Sequence, residues 1–367
     1  MAPDPKTIST VEKIFWDNWF SVLITVGLIL LLLLVGGIVY YLIKRKKAQA
    51  EEIPAEPAKE VIKPSALRQI WKSFLKEIPG DLRRRIMVFD QFVVFGGAGA
   101  GKSLLIDNYT DWQGYSREFY PSYTTNPLLQ IYLGSKVMVQ EIPASLVGDT
   151  TGDVRKSLLK LWKPIFKHRA PTVVVALNGA AFEDEENLTE YLTREAQYIR
   201  GKINLLSWTG KRPVKVRIAL THMDLIEGYC AFSEFLARKN IPFQLHFSSN
   251  EELKDLTKEA ELLEEYLTEA LITLPADKYL QAVSFIRLLP KIFENLKLFL
   301  EKLTRRDPLS VEPQITDVYL TSQEEKQVQF NNPFAAQITK EEMEKYDPYV
   351  WHRRAALASG LVITAFL

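Results

Sequence analysis

A glycine-rich turn at residues 96–103 carries the residue types needed to hold a polyphosphate. It reads Gly-Gly-Ala-Gly-Ala-Gly-Lys-Ser and satisfies the pattern G-x-x-x-x-G-K-[S/T]. Glycines leave main-chain N–H groups open to phosphate oxygens, the lysine neutralises β- and γ-phosphate charge, and the serine hydroxyl is a ligand type for Mg²⁺. A strand-like run precedes the turn and an apolar run follows it, as the motif requires. The sequence therefore predicts nucleotide binding by Gly96, Gly99, Gly101, Lys102 and Ser103.

Two further positions are candidates for the magnesium side of this site. Glu141 follows the apolar run 137–140, where a second strand would end in a carboxylate that holds Mg²⁺ through water, together with Ser103. Thr124 and Thr125 lie between the turn and this strand, where a switch threonine would contact the metal, and Thr125 is taken as the candidate. The cofactors expected are thus Mg²⁺ and a purine nucleoside triphosphate.

The segment Thr221-His222-Met223-Asp224 is a candidate for base recognition, because guanine-specific proteins carry N/T-K-x-D at the end of a late strand. Asp224 would accept both N–H donors of guanine, and Thr221 and Asp224 are both candidate nucleotide-binding residues. The lysine of the pattern is His222 here, so GTP and ATP both stay open. Residues 247–249 (Phe-Ser-Ser) follow one more strand and would place main-chain N–H groups near the base.

The segment where G-domain proteins sense the γ-phosphate departs from their pattern in this chain. G-domain proteins carry D-x-x-G where this chain has Glu141-Ile142-Pro143-Ala144. Losing the glycine removes the flexible main-chain N–H that senses the γ-phosphate. We therefore expect nucleotide binding with slow or undetectable hydrolysis, and no catalytic residue is assigned.

The order of apolar runs predicts an α/β fold: a P-loop NTPase-like, mainly parallel sheet with helices on both faces, followed by a helical subdomain. Strand-like runs alternate with helical stretches such as 154–163 and 187–206, and 251–305 is long, charged and helical. The strand-like runs are 92–95, 128–133, 137–142, 172–177, 214–220, 243–247 and 316–321.

A membrane anchor is expected near the start of the chain. Residues 20–43 are uncharged and as a helix would reach roughly 36 Å, enough to cross a hydrocarbon core of about 30 Å. Four basic residues follow at 44–47, which predicts a cytoplasmic location for 44–350 by the positive-inside rule. Residues 355–367 are again uncharged but too short to span a bilayer, so they are either a short apolar tail or the start of a second transmembrane helix. We interpret 351–367 as the start of a second transmembrane helix, because His352-Arg353-Arg354 supply the positive charge expected at the cytoplasmic end of a returning helix.

The predicted organisation has seven parts. They are a short periplasmic N-terminus (1–19), the transmembrane helix (20–43), a basic and then Ala-Glu-Pro-rich linker (44–65), the P-loop NTPase-like domain (66–250), the helical subdomain (251–306), an extended polar segment with one strand (307–350) and the start of the second transmembrane helix (351–367).

Composition excludes several other classes. The formal net charge of +1 gives no global basic field to hold nucleic acid. A single cysteine, Cys230, excludes an intrachain disulfide and makes a structural zinc site a poor fit.

Four stretches resemble the IcmF/TssM family of the bacterial type VI secretion membrane complex. GGAGAGKSLL is similar to the family's phosphate loop, and VRIALTHMDLIEGYCAFSEF is similar to its V-x-x-T-K-x-D-L-I-x-G-F-x-x-F-F segment. WKPIFKHRAPTVVVAL is similar to the basic turn and strand before it, and ITDVYLTSQEEK to its G-V-Y-F-T-S segment. In order along the chain the stretches are 96–105, 162–177, 216–235 and 315–326.

The resemblance implies a divergent member of that family: an inner-membrane scaffold of a type VI-like secretion system with a switch-like nucleotide domain. It implies as partners a DotU/TssL-type inner-membrane protein, baseplate components, further copies of the chain, and an outer-membrane lipoprotein contacted through a periplasmic region after Leu367. The alternative is a membrane-anchored GTPase in protein targeting, similar to the signal-recognition-particle receptor β-subunit. That subunit needs neither a second membrane helix nor a helical stretch such as 251–305.

Overall fold

A computed structural model describes most of the chain after residue 65. The described residues are 66–80, 83, 86, 88–108, 112–119, 128–134, 136–166, 170–182, 188–210, 212–308, 310–322 and 332–337. Their strands are β1 (Asp90–Phe95), β2 (Trp112–Phe119), β3 (Leu129–Gly134), β4 (Val137–Glu141), β5 (Thr172–Asn178), β6 (Lys215–Thr221), β7 (Gln244–His246) and β8 (Gln314–Leu320).

Helices alternate with these strands. They are α1 (Ala66–Glu77), α2 (Lys102–Asp107), α3 (Ala144–Gly148), α4 (Gly152–Ile165), α5 (Leu188–Gly210), α6 (Tyr229–Arg238), α7 (Leu256–Thr273) and α8 (Ala276–Thr304). Short 3₁₀ turns occupy Gly179–Phe182, Met223–Leu225 and Glu252–Asp255.

All eight described strands join one sheet in the order β2-β3-β4-β1-β5-β6-β8-β7. The five central strands, β4, β1, β5, β6 and β8, run parallel to one another. The edge strands β2, β3 and β7 pair antiparallel with their neighbours. The predicted mixed α/β fold with a mainly parallel sheet is therefore confirmed. The ends of β1, β4, β5 and β6 share one edge, termed here the carboxyl edge.

Continuous apolar runs explain why the central strands lie inside. Strand β1 is buried at every position, and β5 is buried from Val173 to Leu177. Parallel strands are covered on both faces, so they carry apolar residues continuously rather than in alternation. Successive side chains of a strand still point to opposite faces of the sheet, so neighbouring residues pack into different layers.

The two faces of the sheet are covered differently. Val93 and Phe95 of β1 belong to the larger hydrophobic cluster, to which helices α1 and α4–α8 contribute side chains such as Trp71, Trp162, Ile199, Phe232, Leu263 and Phe285. Phe92 and Val94 belong to a smaller cluster, covered by α2 and by residues 332–337, termed here the strap. The expectation of helices on both faces therefore holds fully for one face. In the described residues, the other face has one six-residue helix and an irregular segment.

The segment after residue 250 is continuous with the sheet. Helices α7 and α8 supply the predicted helical stretch, and α8 buries an apolar stripe against α5 and α6. The chain then returns as β8, which inserts between β6 and β7. The stretches predicted as a helical subdomain (251–306) and an extended segment (307–350) thus contribute a covering layer and a central strand to the same sheet. The described residues after residue 65 cluster as one compact unit.

The predicted membrane segments lie outside the described residues. Within the ranges given above, no helix has both the length and the apolar character required to cross a bilayer. The segments 20–43 and 351–367, the linker 44–65 and the N-terminus 1–19 are not among those ranges.

Candidate functional site

The phosphate loop lies between the buried strand β1 and helix α2, at the carboxyl edge of the sheet. Gly96 passes so close to β5 that a Cβ atom there would lie 2.5 Å from the Ala176 carbonyl oxygen. Gly101 has φ +68°, in the left-handed region that favours glycine. These two positions explain why the loop needs glycine at both ends. Since α2 has only six residues, the donors for an anion come chiefly from the main chain of the loop itself.

The end of β6 is fastened to this loop. The Thr221 hydroxyl lies 2.9 Å from the Ala100 carbonyl oxygen and 3.1 Å from the Leu177 carbonyl oxygen, and it donates toward both. The His222 ring lies against Gly101, where a Cβ atom would be 2.8 Å from His222 Cε1. The predicted phosphate loop and the predicted base-recognition segment are therefore adjacent in the fold.

Lys102 is held over the loop and is largely withdrawn from solvent, with 8% of its surface exposed. Its ammonium group donates hydrogen bonds to the carbonyl oxygens of Gly96 (2.9 Å) and Gly97 (2.8 Å). Burial lowers the pKa of Lys102, and the nearby Glu141 and Glu195 oppose that shift. A buried ammonium with two carbonyl partners is positioned to exchange one of them for a phosphate oxygen.

Ser103 and Glu141 meet as the magnesium prediction requires. The Ser103 hydroxyl donates to Glu141 Oε1 at 2.9 Å, and the Tyr132 hydroxyl lies 3.4 Å from Glu141 Oε2. Burial raises the pKa of Glu141, and the hydrogen bond from Ser103 and the charge of Lys102 oppose the rise. The carboxyl group would therefore gain from a cation beside it.

This set of residues fits a Mg²⁺–nucleotide. Mg²⁺ prefers oxygen ligands and usually takes one or two from the protein, the others coming from phosphate and water. A hydroxyl and a carboxylate in contact, next to a glycine loop and an ammonium group, supply that donor set. The structure thus brings together Gly96, Gly99, Gly101, Lys102, Ser103, Glu141 and Thr221, whereas Thr125 lies outside the described residues.

The base-recognition segment forms a tight turn. His222 adopts a left-handed conformation with φ +57°, and a 3₁₀ turn follows from Met223 to Leu225. Met223 is buried against Gly179, while Asp224 is half-buried. Because β6 runs parallel to β1, Asp224 lies beyond the same edge of the sheet as the phosphate loop.

Residues 247–249 do not lie where the sequence prediction placed them. Strand β7 pairs antiparallel with β8, so its end points away from the carboxyl edge. Phe247 N–H instead donates to the Thr316 carbonyl near the start of β8 (2.8 Å). The prediction was wrong because it assumed that β7 continues the parallel order. These residues therefore take no part in the candidate site.

A buried acid that sequence reasoning missed lies under the loop. Glu195 of α5 has 8% of its surface exposed, and its Oε1 atom has no hydrogen-bond partner. A Cβ atom at Gly97 would be 3.3 Å from both Glu195 Oε1 and the Tyr191 hydroxyl. Burial raises the pKa of Glu195, and Lys102 opposes the rise. In the sequence, Glu195 is one of several charges on a long amphipathic helix, so no local signal marks it.

Comparison with known proteins gives a weak structural likeness alone. No family model matches the chain, and no significant match was found among curated proteins. The G domain of the T. maritima FeoB iron transporter is 14% identical with a TM-score of 0.23, covering 42% of this chain and 84% of that one. A GDP-bound mutant of S. thermophilus NFeoB is 15% identical with a TM-score of 0.26, covering 62% and 100%. A GDP-bound mutant of the S. thermophilus FeoB G-domain is 13% identical with a TM-score of 0.25, covering 59% and 98%. These values do not place the chain in a family.

Proposed function

We propose that the sheet domain binds a purine nucleoside triphosphate with Mg²⁺ at the loop 96–103. The observation that carries the proposal is the 2.9 Å contact between Ser103 and Glu141 beside the buried ammonium of Lys102. These residues are 38 positions apart in sequence and are brought together by the parallel pairing of β1 with β4. Burying the Glu141 carboxylate there carries a desolvation cost. A bound metal ion would offset that cost.

We favour guanine over adenine as the base. Asp224 follows Thr221 by three residues, and Thr221 contacts the main chain of the phosphate loop. A carboxylate in that position accepts the two N–H donors on the Watson–Crick edge of guanine, which adenine does not present. GTP is therefore expected to displace a bound guanine nucleotide better than ATP does.

We propose that the domain acts as a switch or strut rather than as a rapid hydrolase. Helix α3 begins at Ala144, directly after Pro143, which has no N–H group. The N–H of Ile142 donates to the Val94 carbonyl at 3.1 Å. The segment 142–144, which would have to move in response to a γ-phosphate, is thus already fixed by a main-chain hydrogen bond and by the start of a helix. Phosphate release by the full chain is expected to be slow or undetectable.

The nucleotide proposal is tested with the full chain in detergent, Mg²⁺ and a fluorescent GTP analogue. Lys102→Ala should weaken binding at least tenfold, since charge-assisted contacts to phosphate contribute about 1.5–3 kcal/mol. Lys160→Ala, which removes an exposed lysine of α4, is the matched control and should leave affinity unchanged. Thermal unfolding of each variant establishes that it is folded. If the wild type and a folded Lys102→Ala variant bound the GTP analogue with equal affinity, the proposal would be refuted.

At the level of the whole chain, we propose an inner-membrane scaffold of a type VI-like secretion system, with residues 44–350 cytoplasmic. Its support is the resemblance of four stretches to the IcmF/TssM family. Those stretches contribute the phosphate loop and strands β5, β6 and β8, which are central to one sheet. The runner-up, a membrane-anchored targeting GTPase, does not account for α7, α8 and β8 as parts of the same unit. Co-isolation with a DotU/TssL-type protein tests the scaffold proposal.

A further inference from the structure

A basic cavity of about 460 Å³ opens between the second half of α5 and the end of α8. Its volume is in the range of small-molecule sites. Among the residues that line it, the cationic side chains outnumber the single anionic one, Asp307, four to one. The cationic residues are Arg200, Lys302, Arg305 and Arg306.

Arg200 is the buried member of this set. It has 9% of its surface exposed, and its Nη2 atom donates to the Ser310 hydroxyl at 3.1 Å. Its Nη1 atom is enclosed and has no hydrogen-bond partner, and neither has the Asn204 Oδ1 atom on the same wall. Burial lowers the pKa of Arg200, and Asp307 and Glu312 oppose the shift. A buried cation with an unused donor gains from an anion that reaches it after a small side-chain shift.

The other three cations are exposed and lie on the last turn of α8 and just after it. Cations near a helix C-terminus also stabilise the helix, so their position alone is not evidence for a ligand. Arg200 cannot be explained in that way, because it belongs to the interior of α5. Its burial on the same wall is the independent observation that points to an anion.

The cavity lies near the edge of the sheet opposite the phosphate loop. Residues 305–313 lead into the start of β8, and the parallel strands β8 and β1 begin at the same edge. The strap is fixed at that edge by Gln337, whose N–H donates to Asp90 Oδ2 at the start of β1 (2.6 Å). The predicted second membrane segment begins at residue 351, fourteen positions after Gln337.

We propose that the basic cavity binds a phosphate group, carried by an anionic phospholipid or present as free inorganic phosphate. The guanidinium groups of Arg200 and Arg305 suit phosphate oxygens, because their donors are arranged as a fork. The membrane segment predicted for 351–367, which follows Gln337 in the sequence by fourteen positions, favours phospholipid as the source. The proposal is independent of the nucleotide site, since the two sites share no residue.

Two measurements on the full chain distinguish the sources. In the first, the chain is purified from vesicles that contain phosphatidylcholine and phosphatidylglycerol, and native mass spectrometry reports the retained lipid. In the second, thermal unfolding is followed in phosphate and in chloride at equal ionic strength. The second uses Lys102→Ala as background, so that phosphate at the loop 96–103 does not contribute. A ligand of the native state raises the unfolding midpoint by mass action.

The variant for both measurements is Arg305→Ala with Arg306→Ala, which changes exposed residues. The matched control is Lys160→Ala with Lys163→Ala, which removes two exposed cations of α4. If phosphatidylglycerol retention falls at least fivefold in the arginine variant but not in the lysine control, the cavity is assigned to phospholipid. A phosphate-dependent midpoint rise lost in that variant, without lipid retention, would assign it to free phosphate. Absence of both effects, or equal effects in the lysine control, would overturn the proposal.

Discussion

A carboxyl group buried beside a phosphate loop works against the binding of a polyanion. Glu195 lies against Gly97, and it has a Coulombic interaction with Lys102, the residue expected to contact phosphate. Its raised pKa means that the folded protein binds a proton there more readily than the unfolded chain does. Stability from this group is therefore present below its ordinary pKa and is lost as pH rises through the raised value. Where Glu195 is ionised, its charge both destabilises the fold and repels phosphate.

Glu195→Gln should therefore strengthen nucleotide binding. The substitution keeps the shape of the side chain and removes its charge, so affinity for a fluorescent GTP analogue should rise roughly threefold to tenfold at pH 8, as for one charge removed at moderate screening. The gain should shrink as pH falls and the native Glu195 becomes protonated. Titrations of the full chain between pH 5.5 and pH 8 measure both effects.

Glu190→Gln is the control for this prediction. Glu190 is an exposed acid on the same helix, and its loss changes the net charge by the same amount. If both substitutions changed affinity equally, the effect would come from net charge and not from the acid beneath the loop. Unchanged affinity in Glu195→Gln at every pH would contradict the geometry described for Gly97.

At the scale of elements, the central strands were predictable because their sequences suit only one environment. The run Phe92–Phe95 and the run Val173–Leu177 are too apolar for a surface and too short for most helices. The phosphate loop was predictable because main-chain geometry requires glycine there: Gly96 packs against a main-chain carbonyl and Gly101 has a positive φ. The pairing of Ser103 with Glu141 followed from the parallel order of the strands that precede them.

Other elements could not be predicted from local sequence. Strand β2 reads WQGYSREF, with a glycine and two charges, and no apolar alternation marks it. An edge strand needs only one neighbour, so its sequence is weakly constrained. The direction of β7 depends on β8, which arrives some 70 residues later in the chain and occupies the place beside β6. No residue of β7 itself encodes that choice, and this is why residues 247–249 were misplaced.

The strap is the element whose contribution is easiest to measure. Phe334 is fully buried, and its ring packs edge-on against Phe92 with centroids 5.6 Å apart. Arg217 donates to the Pro333 carbonyl at 2.6 Å, and Gln337 is bound to Asp90. The strap therefore covers the face of the sheet that has the fewest described helices.

Phe334→Ala should lower the free energy of unfolding by about 3–5 kcal/mol, because it removes a buried ring and leaves a cavity. Phe334→Leu should cost clearly less, since it keeps most of the apolar volume. Denaturant unfolding of the full chain in detergent, followed by tryptophan fluorescence, measures both. Equal and small losses for the two variants would mean that the strap does not stabilise the sheet.

At the scale of the whole molecule, the last described segments of the chain, β8 and the strap, belong to the same sheet as the phosphate loop. Strand β8 lies between β6 and β7, so residues 314–320 belong to the interior of the fold that holds the phosphate loop. A membrane segment after residue 350 would therefore be connected to the nucleotide domain through β8 and the strap. Under the scaffold proposal, that continuity would let the domain transmit force or position to the membrane. A targeting GTPase with one anchor has no need of it.

The scaffold proposal predicts a stable partner in the membrane. The tagged full chain, co-expressed with a DotU/TssL-type protein from the same bacterium and extracted in mild detergent, should co-isolate with it. If the domain acts as a strut, Lys102→Ala should leave the complex intact. If the domain is a switch, added GTP should change the amount of complex recovered with the wild type but not with Lys102→Ala. The matched control is Lys160→Ala, which should behave as the wild type in either case. The contrary result would be recovery of translocon or signal-recognition components instead. If the wild type recovered them only with GTP bound, and Lys102→Ala did not recover them, the scaffold proposal would be contradicted and the targeting GTPase favoured.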